Sequence, residues 1–197
     1  MINDFYIEKE YFSDEEMNKV IDNINNRVGM EEEVSFRVDG SFGQIWRPFS
    51  EFKFADFYRH SNLHISKVAQ AYLTFPAEGS IDQKKVLKFV SDRYNLKVEE
   101  LQYEVGNIQI YLPGSFIGPH SDRAYEGAQS KRVCAVLIPL NSRPQNASGG
   151  ELIIGDYEYV PNKGDIVSIT MDSDKLHEVK SVIDWFRFMI TLFVQIK

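Results

Sequence analysis

The hydrophobic pattern of this chain changes period near Gln102, and that change limits the fold more than any single residue does. Before it, apolar residues recur at helical spacing; after it, they come as short runs divided by turn residues. Ser13-Asp14-Glu15-Glu16 has the form of a capping box, in which the Ser hydroxyl accepts from a free backbone N–H while the Glu reaches back to the cap. Met17, Val20, Ile21 and Ile24 follow on one helical face, so a helix to about Asn26 is expected, after a short strand at Phe5-Tyr6-Ile7. Further helices are expected from about Ala55 to Phe75, stopped by Pro76, and from about Ile81 to Tyr94. Glu31-Glu32-Glu33 reads as a solvated turn or strand start. Gly40 to Phe54, with Phe42, Trp46, Phe49 and Phe52, reads as aromatic packing between helix and sheet or as a loop facing a substrate.

Beyond Gln102, Val105, Ile108, Ile110 and Leu112 suit a strand ending at Pro113-Gly114. Val133 to Leu140 is a continuous apolar run, as in a strand buried on both faces. Short strands are expected at Glu151–Ile154, Tyr157–Val160, Asp165–Thr170, Leu176–Lys180 and Phe186–Ile196. Gly149-Gly150, Gly155-Asp156 and Pro161-Asn162-Lys163-Gly164 supply turns. Strands following a helical half imply an α+β protein, a β-sandwich or barrel braced by helices. With 197 residues the chain is long enough for one domain with a real core, helical support lying at about 1–100 and the β core at about 101–197.

Composition narrows the partners. Hydrophobic residues make up 43% and charged residues 26%, and the formal net charge is −7. That balance argues against a dedicated nucleic-acid binder, whose affinity comes from Lys and Arg on phosphates. No apolar run approaches the roughly 20 residues that span a bilayer, and Met1 to Glu8 lacks a secretory pattern, so no membrane partner and a cytoplasmic address are expected. Cys134, the single cysteine, allows no internal disulfide.

Two of the four histidines fall in the strand-rich half. In Gly118-Pro119-His120-Ser121-Asp122 an imidazole and a carboxylate stand two residues apart, on one face of an extended segment. His177, on a later strand, can close a third corner. Two His and one carboxylate leave the opposite positions of an ion open, the ligand set of non-haem Fe(II) oxygenases. His-x-Asp alone is a weak signal, and the same ligands can bind zinc. Arg187, ten residues after His177, weighs against zinc, which gives it no role. In Trp185-Phe186-Arg187-Phe188-Met189-Ile190 it sits on an apolar strand, where a guanidinium is costly without an anion and can grip a carboxylate through two parallel hydrogen bonds. Thr191 shares its face and could add a hydroxyl, and Tyr111 could add a phenol, with Asn107 and Gln109 beside it by period two. Taken singly, Arg187 could pair with an acid and Tyr111 could be a core aromatic; together with the ligand pattern they favour a site. His60 and His64 are spaced as in zinc-protease helices, but Ser61 stands where the glutamate is required, so they read as ordinary helix residues.

From about Gln102 to Lys197 the chain resembles the prolyl-4-hydroxylase-like 2-oxoglutarate- and Fe(II)-dependent dioxygenases. The matching pieces come in the family's order: Tyr111-Leu112-Pro113-Gly114, His120-Ser121-Asp122, the strand Val133 to Asn141, Ser148-Gly149-Gly150-Glu151-Leu152, Gly164-Asp165-Ile166-Val167, His177-Glu178-Val179, and Arg187 at the family's spacing. The resemblance implies a double-stranded β-helix, or jelly-roll, core. It implies iron held by His120, Asp122 and His177, and 2-oxoglutarate held through its distal carboxylate by Arg187 with Tyr111 and Thr191. It implies O2 as oxidant, with ascorbate as an accessory reductant, and hydroxylation of a prolyl residue in a peptide or protein. A free amino acid or other small molecule, and a non-catalytic metal-binding β-barrel module, are the alternatives. Nucleic-acid demethylases of the superfamily carry a second Arg where this chain has Phe193. The chain also departs from the pattern at Trp185 and Phe186, where the family often has a Gly shortly before the Arg, and this bears on the pocket wall.

Overall fold

The computed structural model describes residues 4–28, 33–38, 41–46, 72–76, 81–104, 106–111, 113–122, 131–171 and 176–197. In chain order the elements are β1 (Phe5–Glu8), α1 (Asp14–Val28), β2 (Glu33–Val38), β3 (Ser41–Trp46), β4 (Tyr72–Pro76) and α2 (Gln83–Tyr94). A 3-10 turn at Val98–Glu100 leads into β5 (Leu101–Tyr103), β6 (Asn107–Tyr111), β7 (Ile117–His120) and β8 (Arg132–Pro139). The chain ends with β9 (Leu152–Ile154), β10 (Tyr157–Tyr159), β11 (Ile166–Thr170), β12 (His177–Val179) and β13 (Arg187–Ile196). The aromatic stretch past Trp46, His60, His64 and Arg123 lie outside the described residues.

The capping box forms at α1: Glu16 N–H donates to Ser13 Oγ at 3.2 Å, and Ser13 N–H donates to Glu16 Oε2 at 2.7 Å. At α2, Asp82 accepts from the backbone N–H groups of Lys84 and Lys85, and Asn95 closes the helix in the left-handed region at φ 53°. Lys85 on α2 reaches Glu16 on α1 at 2.8 Å and ties the two helices together. No described helix is long and apolar enough to cross a membrane.

Two antiparallel sheets form the core. The larger runs β1-β11-β8-β13-β6-β4-β2-β3, with β5 also on β13; the smaller runs β10-β9-β12-β7. Alternation along the strands gives the larger sheet two different faces. Tyr6, Ile166, Val136, Ile138, Ile190 and Leu192 pack with Met17, Val86, Phe89 and Val90 of the helices. Their neighbours one residue along, Ile7, Val167 and Leu137, join Tyr111 in a second cluster with Leu152, Ile154 and Val179 of the smaller sheet. The helices therefore brace the outside, and the two sheets enclose an interior of their own, as in a jelly roll.

One described segment of the first half departs from its helical periodicity. Tyr72–Pro76, the end of the expected Ala55–Phe75 helix, is strand β4, paired antiparallel with β6 and β2. Aromatic and β-branched residues there suit a pleated surface, and β6 supplies the edge. Glu33, read as a solvated turn or strand start, opens strand β2, and Ser41–Trp46 of the Gly40–Phe54 segment, read as aromatic packing or a substrate-facing loop, is strand β3, in register with β2 from Glu33↔Trp46 to Val38↔Ser41.

Candidate active site

His177 lies opposite His120 in the pairing of β12 with β7, and opposite Ile154 in the pairing with β9. Directly opposed residues share a sheet face. Ile154 belongs to the cluster between the sheets, so both imidazoles face that interior. Their ring centroids are 4.2 Å apart. Asp122, two residues past His120, brings Oδ1 to 3.6 Å from His120 Nε2 and Oδ2 to 3.4 Å from His177 Nε2. One ligand atom from each residue lies within 4.8 Å of the others. Metal–ligand bonds of about 2.1 Å put neighbouring ligands about 3 Å apart, so a small contraction lets one ion meet all three.

The protonation states suit a cation. Gly118 carbonyl lies 2.8 Å from His120 Nδ1; a carbonyl only accepts, so Nδ1 carries the proton and Nε2 offers its lone pair. Burial, then the neighbouring His177, holds the His120 imidazole below its ordinary value and keeps it neutral. Burial pushes the Asp122 carboxyl up, but the hydrogen bond with His177 and the electrostatic influence of His177, His120 and Arg132 outweigh it, and the net direction is down. Neutral imidazole and ionised carboxylate are the metal-binding forms.

Arg187 lies opposite Tyr111 in the pairing of β13 with β6, its guanidinium carbon 4.7 Å from the Tyr111 ring centroid. It is 1% exposed, and Nε and Nη1 have no hydrogen-bond partner. Burial lowers its pKa, opposed by Tyr111 and Tyr159. Among the described residues no carboxylate pairs with it. The nearby buried acid Asp165 is taken up by Tyr159 Oη at 2.7 Å, Lys9 Nζ at 3.0 Å and Glu10 N–H at 3.0 Å. Four residues on, Thr191 Oγ1 is also buried and without a partner. Tyr111 Oη donates to Gln109 Oε1 at 3.0 Å. A buried cation with two idle N–H groups, beside a free hydroxyl and a phenol, has the chemistry to hold a carboxylate, and the donor set is compatible with a ferrous ion and an anionic keto acid.

Two further residues lie by Arg187: Tyr159, which the sequence reading missed as a site residue, and Trp185, which it noted only for the pocket wall. Tyr159 lies in the same interior cluster, its phenol held by Asp165, and burial followed by Asp165 pushes its pKa up. Trp185 is buried at 4%, two residues before Arg187; that spacing was the available signal.

The profile of the 2OG-Fe(II) oxygenase superfamily matches residues 106–195. No curated sequence relative matches the chain. Among solved structures, a Pseudomonas putida prolyl-4-hydroxylase is similar at TM-score 0.64 and 13% identity, over 98% of this chain and 93% of that one. The collagen prolyl hydroxylase of Paramecium Bursaria Chlorella virus-1, solved as its 2OG complex, is similar at TM-score 0.61 and 14% identity, over 99% and 97%. A Trichoplax adhaerens prolyl hydroxylase, in complex with a hypoxia inducible factor peptide fragment, is similar at TM-score 0.59 and 15% identity, over 98% and 84%. Residues 106–195 thus resemble the 2OG-Fe(II) oxygenase superfamily, and the chain shares its fold with solved prolyl hydroxylases.

Proposed function

We propose that the chain is a 2-oxoglutarate- and Fe(II)-dependent oxygenase that hydroxylates a prolyl residue of a peptide or protein. The observation that carries this reading is Arg187, a fully buried guanidinium with two unpartnered N–H groups, on the interior that the His–Asp–His triad faces. Burying a cation without a counter-charge costs several kcal/mol, which an anionic ligand offsets. In this reading His120, Asp122 and His177 hold iron. Arg187 grips the distal carboxylate of 2-oxoglutarate, with Thr191 and Tyr111 adding hydroxyls.

Bound iron with 2-oxoglutarate and O2 supplies the oxidising chemistry: one oxygen atom goes into a substrate C–H bond, the other into succinate, and CO2 leaves. The protein's own task is placement. Two neutral imidazoles and one carboxylate leave a divalent ion with a net charge near +1, attractive to a keto acid. Arg187 fixes the far end of that acid, which orients the near end without entering the chemistry. Leu152, Ile154, Val179 and Val182 line the interior with apolar side chains and keep bulk water from the oxidant.

Prolyl hydroxylases among the similar folds, one with a bound peptide, support the substrate class. A reducing, cytoplasmic setting suits the single, buried Cys134. The test is succinate release with Fe(II), ascorbate and O2 across panels of proline-containing peptides and of free amino acids. Release stimulated by a prolyl peptide is expected. Release stimulated by a free amino acid moves the substrate to small molecules, and no release with no iron binding returns the chain to a non-catalytic barrel.

A further inference from the structure

We infer that Trp185 is a positioning residue for Arg187: its indole, pinned to Ser148 and seated on Gly150, braces the guanidinium stem and sets the depth at which a 2-oxo diacid is held. This rests on the reading of Arg187 as the carboxylate anchor.

The burial pattern gives the first indication. Trp185 is 4% exposed and Arg187 1%, while Phe186 between them is 40% exposed, so the chain turns both larger side chains inward. Asp184 makes this possible at φ 60°, a left-handed conformation that a short polar side chain tolerates. Trp185 Nε1–H donates to the Ser148 carbonyl at 3.2 Å, and the same carbonyl accepts from Ile183 N–H at 2.9 Å. The indole is therefore held at its polar edge by the segment that leads into the Gly149-Gly150 turn.

Gly150 provides the seat. Its φ is +76°, and a Cβ there would lie 2.7 Å from Trp185 Cζ2 and 3.4 Å from Arg187 Cδ. The ring and the arginine stem thus converge on one point above Gly150, and the space that a side chain would fill is taken by the indole. With Tyr111 beneath the guanidinium carbon, the stem is confined from two directions.

Confinement has a definite energetic signature. An arginine stem carries large rotamer entropy, and a stem already held loses less on gripping a carboxylate. That contact is the same before and during the chemistry, so bracing strengthens binding uniformly and appears in KM rather than kcat. A fixed stem also discriminates against a diacid one methylene longer, where hydrophobic length alone gives roughly 10-fold selection or more.

The experiment compares wild type, Trp185→Ala and Trp185→Phe, with 2-oxoglutarate and 2-oxoadipate as alternative diacids. In Trp185→Ala, KM for 2-oxoglutarate is expected to rise about 10-fold, kcat to change less than about threefold, and the preference over 2-oxoadipate to shrink. Trp185→Phe keeps a ring over Gly150 and is expected to recover most of the loss. Equal KM and equal preference in all three overturns the assignment, as does a fall in kcat with KM unchanged. Should Trp185→Ala fail to fold, the Trp46→Phe protein decides, because Trp185 is then its one tryptophan. Its emission is expected to change on anaerobic titration with 2-oxoglutarate and Fe(II), and unchanged emission alongside calorimetric binding overturns the inference. Absence of calorimetric binding in wild type overturns the Arg187 reading itself, and this inference with it.

Discussion

His177 stands directly across from His120 in the antiparallel pairing of β12 and β7, and Asp122 reaches the Nε2 atoms of both at 3.4 and 3.6 Å. Sheet register, more than loop geometry, thus brings the two imidazoles together. Moving β12 by one residue would turn His177 to the opposite face and leave Glu178 in its place.

Arg187→Ala is expected to weaken 2-oxoglutarate far more than it slows the saturated enzyme. Two charge-assisted hydrogen bonds are lost, at about 1.5–3 kcal/mol each, so KM should rise by roughly 100-fold or more. Arg187→Lys should recover little, since an ammonium lacks the planar fork. Steady-state kinetics at varied 2-oxoglutarate checks both, and an unchanged KM removes Arg187 from the pocket.

Gly149→Ala should destabilise the fold by about 2–4 kcal/mol. The residue is at φ +75°, and its Cβ would lie 1.8 Å from the Ser181 carbonyl oxygen, a backbone atom that cannot rotate away. Urea unfolding measures the loss. A change under about 0.5 kcal/mol, the level of an ordinary surface substitution, would mean that the turn opens readily.

Asp165→Ala should cost about 3 kcal/mol, because it leaves the buried Tyr159 hydroxyl and the Glu10 N–H without their acceptor. Tyr159→Phe removes one hydrogen bond and should cost about 1 kcal/mol. Thermal unfolding of the pair tests the ranking, and the reverse order contradicts it.

Alkaline pH should loosen the junction of helices and sheet. Burial pushes the Cys134 thiol from 9.0 up to about 12, with the Tyr94 hydrogen bond lowering it in part. The unfolded chain gives up this proton first, so the stabilisation is whole below about pH 9 and is lost as pH rises through about 12. The urea midpoint should fall over that window, and fall less steeply in Cys134→Ala. Identical slopes in the two proteins would remove Cys134 from the effect.

What the sequence made legible was local or motif-bound. The Ser13–Glu16 capping box is complete within four residues, and the strands from β6 onward, apart from β7 with its Gly118-Pro119, follow from apolar runs and turn residues. The triad was legible because the chain has only four histidines and two of them flank a carboxylate in the strand-rich half, and Arg187 because it stands in an apolar strand. The strand β4 was not, since Tyr72–Pro76 is defined by its pairing with Asn107–Tyr111, over thirty residues away. A local pattern does not carry that contact. The β2–β3 hairpin had a signal, Asp39-Gly40, a dipeptide favoured in two-residue turns, which the aromatic stretch after it obscured. The meeting of Trp185 and Arg187 above Gly150 joins two segments about thirty-five residues apart, and only the packed sheets reveal it.

The most direct measurement is anaerobic binding of Fe(II) and 2-oxoglutarate by wild type, Asp122→Ala and Arg187→Ala. Wild type is expected to bind both in equimolar amounts and to show a weak visible charge-transfer band. Asp122→Ala should lose iron and the band together, whereas Arg187→Ala should keep iron and require much more 2-oxoglutarate to develop the band. Full iron binding by Asp122→Ala, or a wild type that binds iron and shows no response to 2-oxoglutarate, would contradict the account.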